Sequence, residues 1–265
     1  MIPKDTAHPC RIIAVTNNKG GVGKTTSTVS IGSVLHSMGY RVLLVDLDPQ
    51  ANLTTHIGGS DLELGAHVGD LLAGSSSIQE VVMESESGLD FLPASYELAM
   101  YEPGIQKKKE YYNLLKQGLK PAFKSYDFVL LDCPPSLQTF TYMALVAADA
   151  YVIPAEPEKF SYDGLRLVME AAENIERRLN AGLQLLGIFF TRYNQKLKNS
   201  THQLVVDAIR EQYGSSVLLP HVRKDSALVK AQVVTQTIQQ YAPESNGAAD
   251  YHSLTSELLT RLHLH

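Results

Sequence analysis

The residues best suited to chemistry lie in one glycine-rich segment near the start of the chain, Asn18–Thr26, with the sequence N-K-G-G-V-G-K-T-T. Glycines in such a segment allow backbone N–H groups to surround phosphate oxygens. Lys24 is placed to reach the β- and γ-phosphates of a nucleotide, and the Thr25 hydroxyl to bind Mg²⁺. The predicted nucleotide contacts in this segment are Gly20, Gly21, Val22, Gly23, Lys24, Thr25 and Thr26.

Acidic residues follow two apolar runs further along the chain. The run R-V-L-L-V-D ends at Asp46, two residues before Asp48, and the run D-F-V-L-L-D ends at Asp132. Parallel strands direct their carboxyl ends toward the ligand crevice of an open α/β sheet, so we expect these acids beside the phosphates. Asp132 has the Walker B pattern and is predicted to hold Mg²⁺ with Thr25, directly or through water. Asp46 and Asp48 could instead cap the helix that follows them.

The elements that must position these residues alternate along the chain. Buried strands are predicted over Arg11–Thr16, Arg41–Asp46, Leu89–Pro93, Asp127–Asp132, Ala150–Pro154, Leu185–Phe190 and Val217–Pro220. Helices are predicted over Lys24–Met38, Ala99–Leu119, Tyr162–Leu179, Ser200–Tyr213 and Tyr251–Leu262. This alternation predicts the α/β class, with a single doubly wound, mostly parallel sheet that has helices on both faces. We expect one domain over residues 11–265, preceded by a short arm of residues 1–10.

The composition favours a packed, cytoplasmic protein. The chain has 265 residues, of which 44% are hydrophobic, and a formal net charge of −5, which argues against a histone-like protein coated with positive charge. Its two cysteines, Cys10 and Cys133, cannot form a disulfide framework. The sequence contains no apolar stretch of about 18 residues, and residues 1–10 lack the apolar core of a signal peptide, so no membrane span is expected.

The glycine-rich segment departs from the common pattern GxxxxGK[ST], because Asn18 stands at the position of the first glycine and Lys19 follows it. This form resembles the deviant Walker A box of the ParA/MinD ATPases. The resemblance implies that Lys19 reaches across a dimer interface to the nucleotide of the partner subunit. The run D-x-D-P-Q-x-N from Asp46 resembles switch I of that family, which implies that Asp48 orients the attacking water. The implied catalytic residues are Lys19, Lys24 and Asp48.

The resemblance covers residues from Arg11 to about Leu262 and is strongest for compact Soj-type ParA proteins. The run D-C-P-P-S from Asp132 is similar to their switch II. The resemblance implies Mg²⁺-dependent ATP hydrolysis, an ATP sandwich homodimer and a ParB-like activator in plasmid or chromosome segregation. Only ten residues precede the first predicted strand, so an N-terminal operator-binding region is not expected. Adenine contacts are expected, by position only, at Asn194, Pro220 and Val222.

A basic region in the second half of the chain suggests a polyanionic partner. Residues 192–230 contain seven basic and three acidic residues, a net of +4. Compact ParA proteins bind the nucleoid without sequence preference, and a region of this charge fits contact with the phosphates of double-stranded DNA. An ordinary solvated surface is the alternative. The candidate DNA contacts are Arg192, Lys196, Lys198, Arg223, Lys224 and Lys230.

Three other functions are open at this point. A ParA-like ATPase could position a protein cargo in place of DNA, and an ATP-dependent ligase of the dethiobiotin type would use the same phosphate site. A MinD-like ATPase would bind a membrane through its last helix, but that helix has a leucine stripe with one arginine, Arg261, which is typical of docking onto a core. Cys133 suggests the nitrogenase iron protein, but that protein uses two cysteines per chain and Cys10 precedes the first strand, so an iron–sulfur site is rejected.

Overall fold

The computed structural model describes residues 10–158, 161–195 and 200–263. Most of the predicted arm, residues 1–9, and Lys196 and Lys198 therefore lie outside the described residues. Within the described ranges a sheet of seven strands has the order β3-β4-β2-β5-β1-β6-β7. The strands are β1 (Arg11–Val15), β2 (Val42–Asp46), β3 (Met83–Glu84), β4 (Asp90–Leu92), β5 (Phe128–Asp132), β6 (Ala150–Ala155) and β7 (Gln184–Phe190).

All neighbouring strands pair in parallel except β3, which runs antiparallel to β4 at one edge. The helices are α1 (Lys24–Ser37), α2 (Asn52–Gly58), α3 (Val68–Ala73), α4 (Ile78–Val81), α5 (Leu98–Gln106), α6 (Leu114–Leu119), α7 (Thr139–Ala147), α8 (Ser161–Arg178), α9 (Ser200–Tyr213), α10 (Ser226–Val233), α11 (Ile238–Tyr241) and α12 (Asn246–Arg261). Short 3₁₀ segments cover Tyr111–Asn113, Lys120–Lys124 and Gly214–Ser216.

The sheet is apolar on both faces because each face is covered by helices. Alternate residues of β1 point to opposite sides, so Ile12 and Ala14 enter one core and Ile13 and Val15 the other. The first core includes side chains of α3 to α9, and the second includes side chains of α1, α2 and α12. The prediction of a doubly wound, mostly parallel α/β sheet is confirmed.

The topology brings three predicted functional segments to one edge of the sheet. Strand β5 lies between β2 and β1, and the register pairs Asp132 with both Asp46 and Val15. The segments that leave the carboxyl ends of these strands therefore start side by side. The phosphate loop, the switch I segment and the Walker B acid meet there, although more than 80 residues separate Asp46 from Asp132 in the sequence.

Three predicted elements differ from the structure. Val217–Pro220 is not a strand, since only isolated bridges join Ile188 to Val217 and Thr191 to Val222. Pro220 has no N–H with which to continue a ladder.

The single helix predicted over Ala99–Leu119 is also wrong. It ends at Gln106 and restarts as α6, because Lys107–Glu110 is exposed throughout and offers no apolar side chain to the core.

Helix α12 begins five residues before the predicted start at Tyr251. Ser245 caps it by accepting a hydrogen bond from the Ala248 N–H at 3.2 Å. Leu254 and Leu258 of this helix are buried in the second core, and Leu259 and Leu262 pack against it, which is the core-docking role expected for the leucine stripe. Among the described helices, none is both long enough and apolar enough to cross a membrane.

Candidate functional site

The phosphate loop connects β1 to α1 through a backbone that only glycine adopts easily. Gly21 has φ of 75° and Gly23 has φ of 88°, and this left-handed region is costly for residues with a Cβ atom. Gly23 is also the N-cap of α1, without a side-chain hydrogen bond. The first-turn N–H groups of a 14-residue helix thus face the loop, and together with the helix dipole they favour a bound phosphate.

The two lysines of the loop have different surroundings. Lys24 is buried, and its Nζ donates to the carbonyl oxygen of Lys19 at 2.9 Å. Burial lowers the pKa of the Lys24 ammonium, and the nearby Asp132 carboxylate opposes that shift. The Lys19 side chain is about one-third exposed and forms an ion pair with Glu158 in the segment after β6. Lys24 is therefore directed into the loop, and Lys19 away from it.

Thr25 and Asp132 form the pair that fits a magnesium site. The Thr25 Oγ1 donates to Asp132 Oδ2 at 2.7 Å, and the Thr28 Oγ1 contacts the other carboxylate oxygen at 3.4 Å. Burial raises the pKa of Asp132 well above its ordinary value, and the Asp46 carboxyl beside it raises it further. A buried carboxylate and a hydroxyl at a helix N-terminus are hard oxygen donors, and a divalent cation would favour the ionised form of Asp132. These residues fit Mg²⁺.

The switch I segment is shaped by Asp46. Its Oδ2 accepts hydrogen bonds from the Thr54 N–H at 2.9 Å and Oγ1 at 2.8 Å, and its Oδ1 accepts from the Asp48 N–H at 3.1 Å. Burial raises the pKa of Asp46 to about 6 against the lowering effect of these bonds. Asp46 thus supports the loop that leads into α2.

Asp48 lies in the same cluster with a different set of contacts. It is 7% exposed, and its Oδ1 accepts a hydrogen bond from the Gln50 N–H at 2.9 Å. Its charge acts on both Lys24 and Asp132, so the structure brings the three predicted groups together. This position is compatible with orienting a water molecule beside the phosphates.

The residues expected near adenine follow β7. Val222 is 2% exposed, and both of its backbone polar groups are bonded within the protein. Its N–H donates to the Phe190 carbonyl at 2.8 Å, and its carbonyl accepts from the Tyr193 N–H at 3.2 Å. Pro220 is half-buried, two residues before Val222. The adenine contacts of Asn194, Pro220 and Val222 stay predictions.

The candidate DNA contacts differ in their availability. The Arg223 guanidinium makes several hydrogen bonds with Asp250, as short as 2.7 Å, which tie the segment before α10 to α12. Arg192 pairs with Glu156 at 3.2 Å and has φ of 51°. Lys224 and Lys230 are exposed. Arg223 thus already has a structural partner, and the two lysines are the better placed for phosphate contact.

Three contacts of the phosphate loop and α1 have no signal in the sequence. The Thr191 Oγ1 donates to the Val22 carbonyl at 2.9 Å, and the Gln232 Nε2 donates to Thr26 Oγ1 at 2.7 Å. The hydroxyls of Ser27 and Tyr251 are 2.9 Å apart and both residues are buried. These contacts join the nucleotide site to elements far along the chain.

Comparison with known proteins agrees with this geometry. Residues 10–185 match the family AAA_31, described as an AAA domain. The chain is 32% identical to the chromosome partitioning protein ParA of Caulobacter vibrioides, over 97% of this chain and 96% of that protein. The chain belongs to the ParA/MinD ATPase family. This ParA/MinD ATPase is also 35% identical to the chromosome-partitioning ATPase Soj of Treponema pallidum, over 95% of this chain and 98% of that one.

A solved structure shares this fold and holds a nucleotide with magnesium. Cobyrinic acid a,c-diamide synthase from Mycobacterium smegmatis, with a bound ATP analogue and magnesium, matches this ParA/MinD ATPase with a TM-score of 0.84 at 30% identity, over 96% of each chain. The predictions of the family, of ATPase activity and of ATP with Mg²⁺ as cofactors are confirmed at the level of the family. The individual roles of Lys19, Lys24 and Asp48 stay predictions.

Proposed function

We propose that this ATPase is a partition or positioning protein that forms a homodimer with ATP, binds double-stranded DNA without sequence preference and leaves it on hydrolysis. A ParB-like partner stimulates that hydrolysis, and plasmid or chromosomal DNA is the cargo. The observation that carries the proposal is the orientation of Lys19, whose ammonium points out of its own phosphate loop to Glu158. This cation does not serve its own phosphate loop, so a second subunit can take it when the ion pair with Glu158 opens.

The site residues divide the work of hydrolysis between them. Lys24 and the N-terminus of α1 neutralise phosphate charge, and Thr25 and Asp132 hold Mg²⁺. When bound, Mg²⁺ neutralises charge on the phosphate oxygens. Asp48 orients the attacking water, and Lys19 of the second subunit stabilises charge that develops on the transferred phosphoryl group, as an arginine finger does. Hydrolysis then separates the subunits because Lys19 loses its target.

The DNA part of the proposal has separate support. Relatives named as chromosome-partitioning proteins match nearly the whole chain, and Lys224 and Lys230 are exposed in a basic region. We assign DNA contact to Arg192, Lys196, Lys198, Arg223, Lys224 and Lys230, with the strongest case for the exposed lysines. The protein then resides on the nucleoid in the cytoplasm, without membrane contact.

The first experiment measures binding to a non-specific DNA duplex with ATP, with ADP and without nucleotide, across a salt series. Binding that needs ATP and weakens steeply with salt is the expected result. Absence of DNA binding with every nucleotide would contradict the DNA proposal and direct the same test to anionic liposomes, which a MinD-like protein would bind. ATP turnover that requires a carboxylate acceptor in place of DNA would indicate an amide-forming ligase.

The role of Lys19 is tested by Lys19→Ala. We expect loss of dimer formation with a non-hydrolysable ATP analogue, measured by light scattering, because the cation that crosses the interface is absent. Nucleotide affinity of the monomer should stay within a few-fold of the original. Lys24→Ala is the matched comparison, since it should weaken nucleotide binding itself. Unchanged dimer formation in Lys19→Ala would show that Lys19 does not act on the nucleotide of the second subunit.

A further inference from the structure

The segment after β6, Glu156-Pro157-Glu158, forms an acidic loop. Its two carboxylates pair with two cations that the proposed function uses. Glu158 pairs with Lys19, and Glu156 Oε2 lies 3.2 Å from an Arg192 guanidinium nitrogen. The Lys19 and Glu158 side chains are 33% and 49% exposed. Their pair can therefore open without disturbing the core.

The backbone of Lys19 is held in place on both sides. Its N–H donates to Asn17 Oδ1 at 3.0 Å, and Asn17 Nδ2 donates to the Pro154 carbonyl of β6 at 2.7 Å. Its own carbonyl accepts from Lys24 Nζ. Asn17 thus ties the phosphate loop to the strand from which the acidic loop emerges. Because the backbones of the phosphate loop and of β6 are held together, rotation of the Lys19 side chain decides where its ammonium lies.

Glu158 and the phosphates of another subunit would compete for the single ammonium of Lys19. We propose that Glu158 is a positioning residue that holds Lys19 within its own subunit and thereby weakens the association of two nucleotide-bound subunits. The proposal rests on the assigned role of Lys19 in the second subunit. Glu158 would then regulate association, because this ion pair competes with the second nucleotide in each protomer.

Nucleotide binding in the same subunit would loosen the backbone of Lys19. Lys24 Nζ donates to the Lys19 carbonyl, and a phosphate oxygen that takes this ammonium removes that bond. Lys19 then keeps its Asn17 contact and its ion pair with Glu158. Among the described contacts, the ion pair restrains the Lys19 side chain before and after this change, and it opposes association until a second nucleotide attracts the ammonium more strongly.

The size of the effect follows from the exposure of the pair. An exposed ion pair changes an equilibrium by about 1.4- to 5-fold. A symmetric dimer opens two such pairs, so their removal should tighten dimerisation by about 2- to 25-fold. The gain should be larger at low salt, because salt screens the pair in the monomer.

The test compares Glu158→Gln with Glu156→Gln, which makes the same change of charge two residues away. Sedimentation across protein concentrations, with saturating non-hydrolysable ATP analogue and Mg²⁺, gives the dimer dissociation constant. We expect Glu158→Gln to lower this constant within the stated range and Glu156→Gln to leave it near the original value. An unchanged constant in Glu158→Gln, or loss of its dimer with normal analogue binding, would overturn the proposal.

A second measurement keeps this proposal separate from the proposed function. Acylation of Lys19 by an amine-reactive reagent, followed by mass spectrometry on the nucleotide-free monomer, reports how well the ammonium is held. We expect acylation about 1.4- to 5-fold faster in Glu158→Gln and unchanged in Glu156→Gln. Equal rates in all three proteins would show that Glu158 does not restrain the Lys19 ammonium. Failure of the unsubstituted protein to dimerise would contradict the proposed function. The labelling rates would still show whether Glu158 restrains the Lys19 ammonium.

Discussion

At the scale of single residues, the site depends on carboxylates placed where their charges are costly. Asp46 and Asp132 are both fully buried and are register neighbours on β2 and β5. Asp46 receives three hydrogen bonds from the switch I segment, and Asp132 has the Thr25 hydroxyl and the charge of Lys24 nearby. The two acids therefore have separate surroundings: Asp46 shapes the loop, and metal binding by Asp132 stays a prediction.

Substitution of Asp48 tests the placement of the attacking water. Asp48→Ala should reduce the rate of phosphate release by at least about 100-fold, because an unpositioned water reacts slowly. Nucleotide affinity should change little, since Lys24 and Thr25 are intact. Phosphate release and equilibrium binding of a fluorescent ATP analogue measure the two quantities, with the exposed Asp61→Asn as control. Turnover at the original rate would show that a group other than Asp48 orients the attacking water.

The buried Asp46 makes a pH-dependent contribution to stability. Its pKa is raised from an ordinary value of 3.8 to about 6, so the folded protein holds a proton that the unfolded chain has already released. The stability from this group is complete below pH 4 and is lost as the pH rises to about 6, a change of about 3 kcal/mol.

Asp46→Asn removes this titration. Between pH 4.5 and 7, the free energy of unfolding of the variant should therefore rise relative to that of the original protein. Urea unfolding at several pH values measures this difference, with Asp61→Asn as the exposed control. A difference that stays constant with pH would show that Asp46 does not titrate in this range.

At the scale of secondary structure, α1 is the element that connects the nucleotide to the rest of the fold. It begins at the phosphate loop, and the loop and helix receive contacts from the end of β7, from α10 and from α12. Each contact joins residues more than 150 positions apart in the sequence. The start of α1 is therefore bonded directly to α10, the helix that carries Lys230.

The contact between α1 and α12 can be tested by its stability. Tyr251→Phe leaves the buried Ser27 hydroxyl without its partner and should lower the free energy of unfolding by about 1 to 3 kcal/mol. The double variant with Ser27→Ala should recover much of that loss, because both polar groups are then absent. Urea unfolding of the two single variants and the double variant measures the coupling. Additive losses would show that the two hydroxyls do not interact.

At the scale of the whole molecule, charge is distributed unevenly. The chain has a formal net charge of −5, while residues 192–230 have an excess of basic residues. In a dimer this region is present twice, so each phosphate contact of one subunit is doubled. A protein that is acidic overall can thus bind DNA through one region while the rest of the chain keeps its negative charge.

Lys224 and Lys230 should determine the salt dependence of DNA binding. Substitution of both with alanine should reduce the slope of log affinity against log salt by about 0.9 for each phosphate that is no longer neutralised. Lys109→Ala, in the exposed run of three lysines after α5, is the control. Fluorescence anisotropy with a labelled duplex and ATP measures the slope. An unaltered slope would show that DNA contacts a surface other than the one that carries Lys224 and Lys230.

The sequence by itself determined the parts of this protein whose chemistry is contiguous. The loop Lys19–Thr26, the switch I acids and Asp132 after an apolar strand were all predictable, because glycine conformation, strand burial and motif spacing act over a few residues. The same local patterns, repeated along the chain, predicted the α/β class and its parallel sheet.

Only the tertiary structure decided which side chains meet over long distances. The Thr25 hydroxyl lies 2.7 Å from the Asp132 carboxylate, Lys19 pairs with Glu158, and Arg223 pairs with Asp250. The segment Val217–Pro220, predicted as a strand, makes only an isolated bridge at Val217. Such partners depend on how whole elements pack against each other, and no short segment of sequence contains that information.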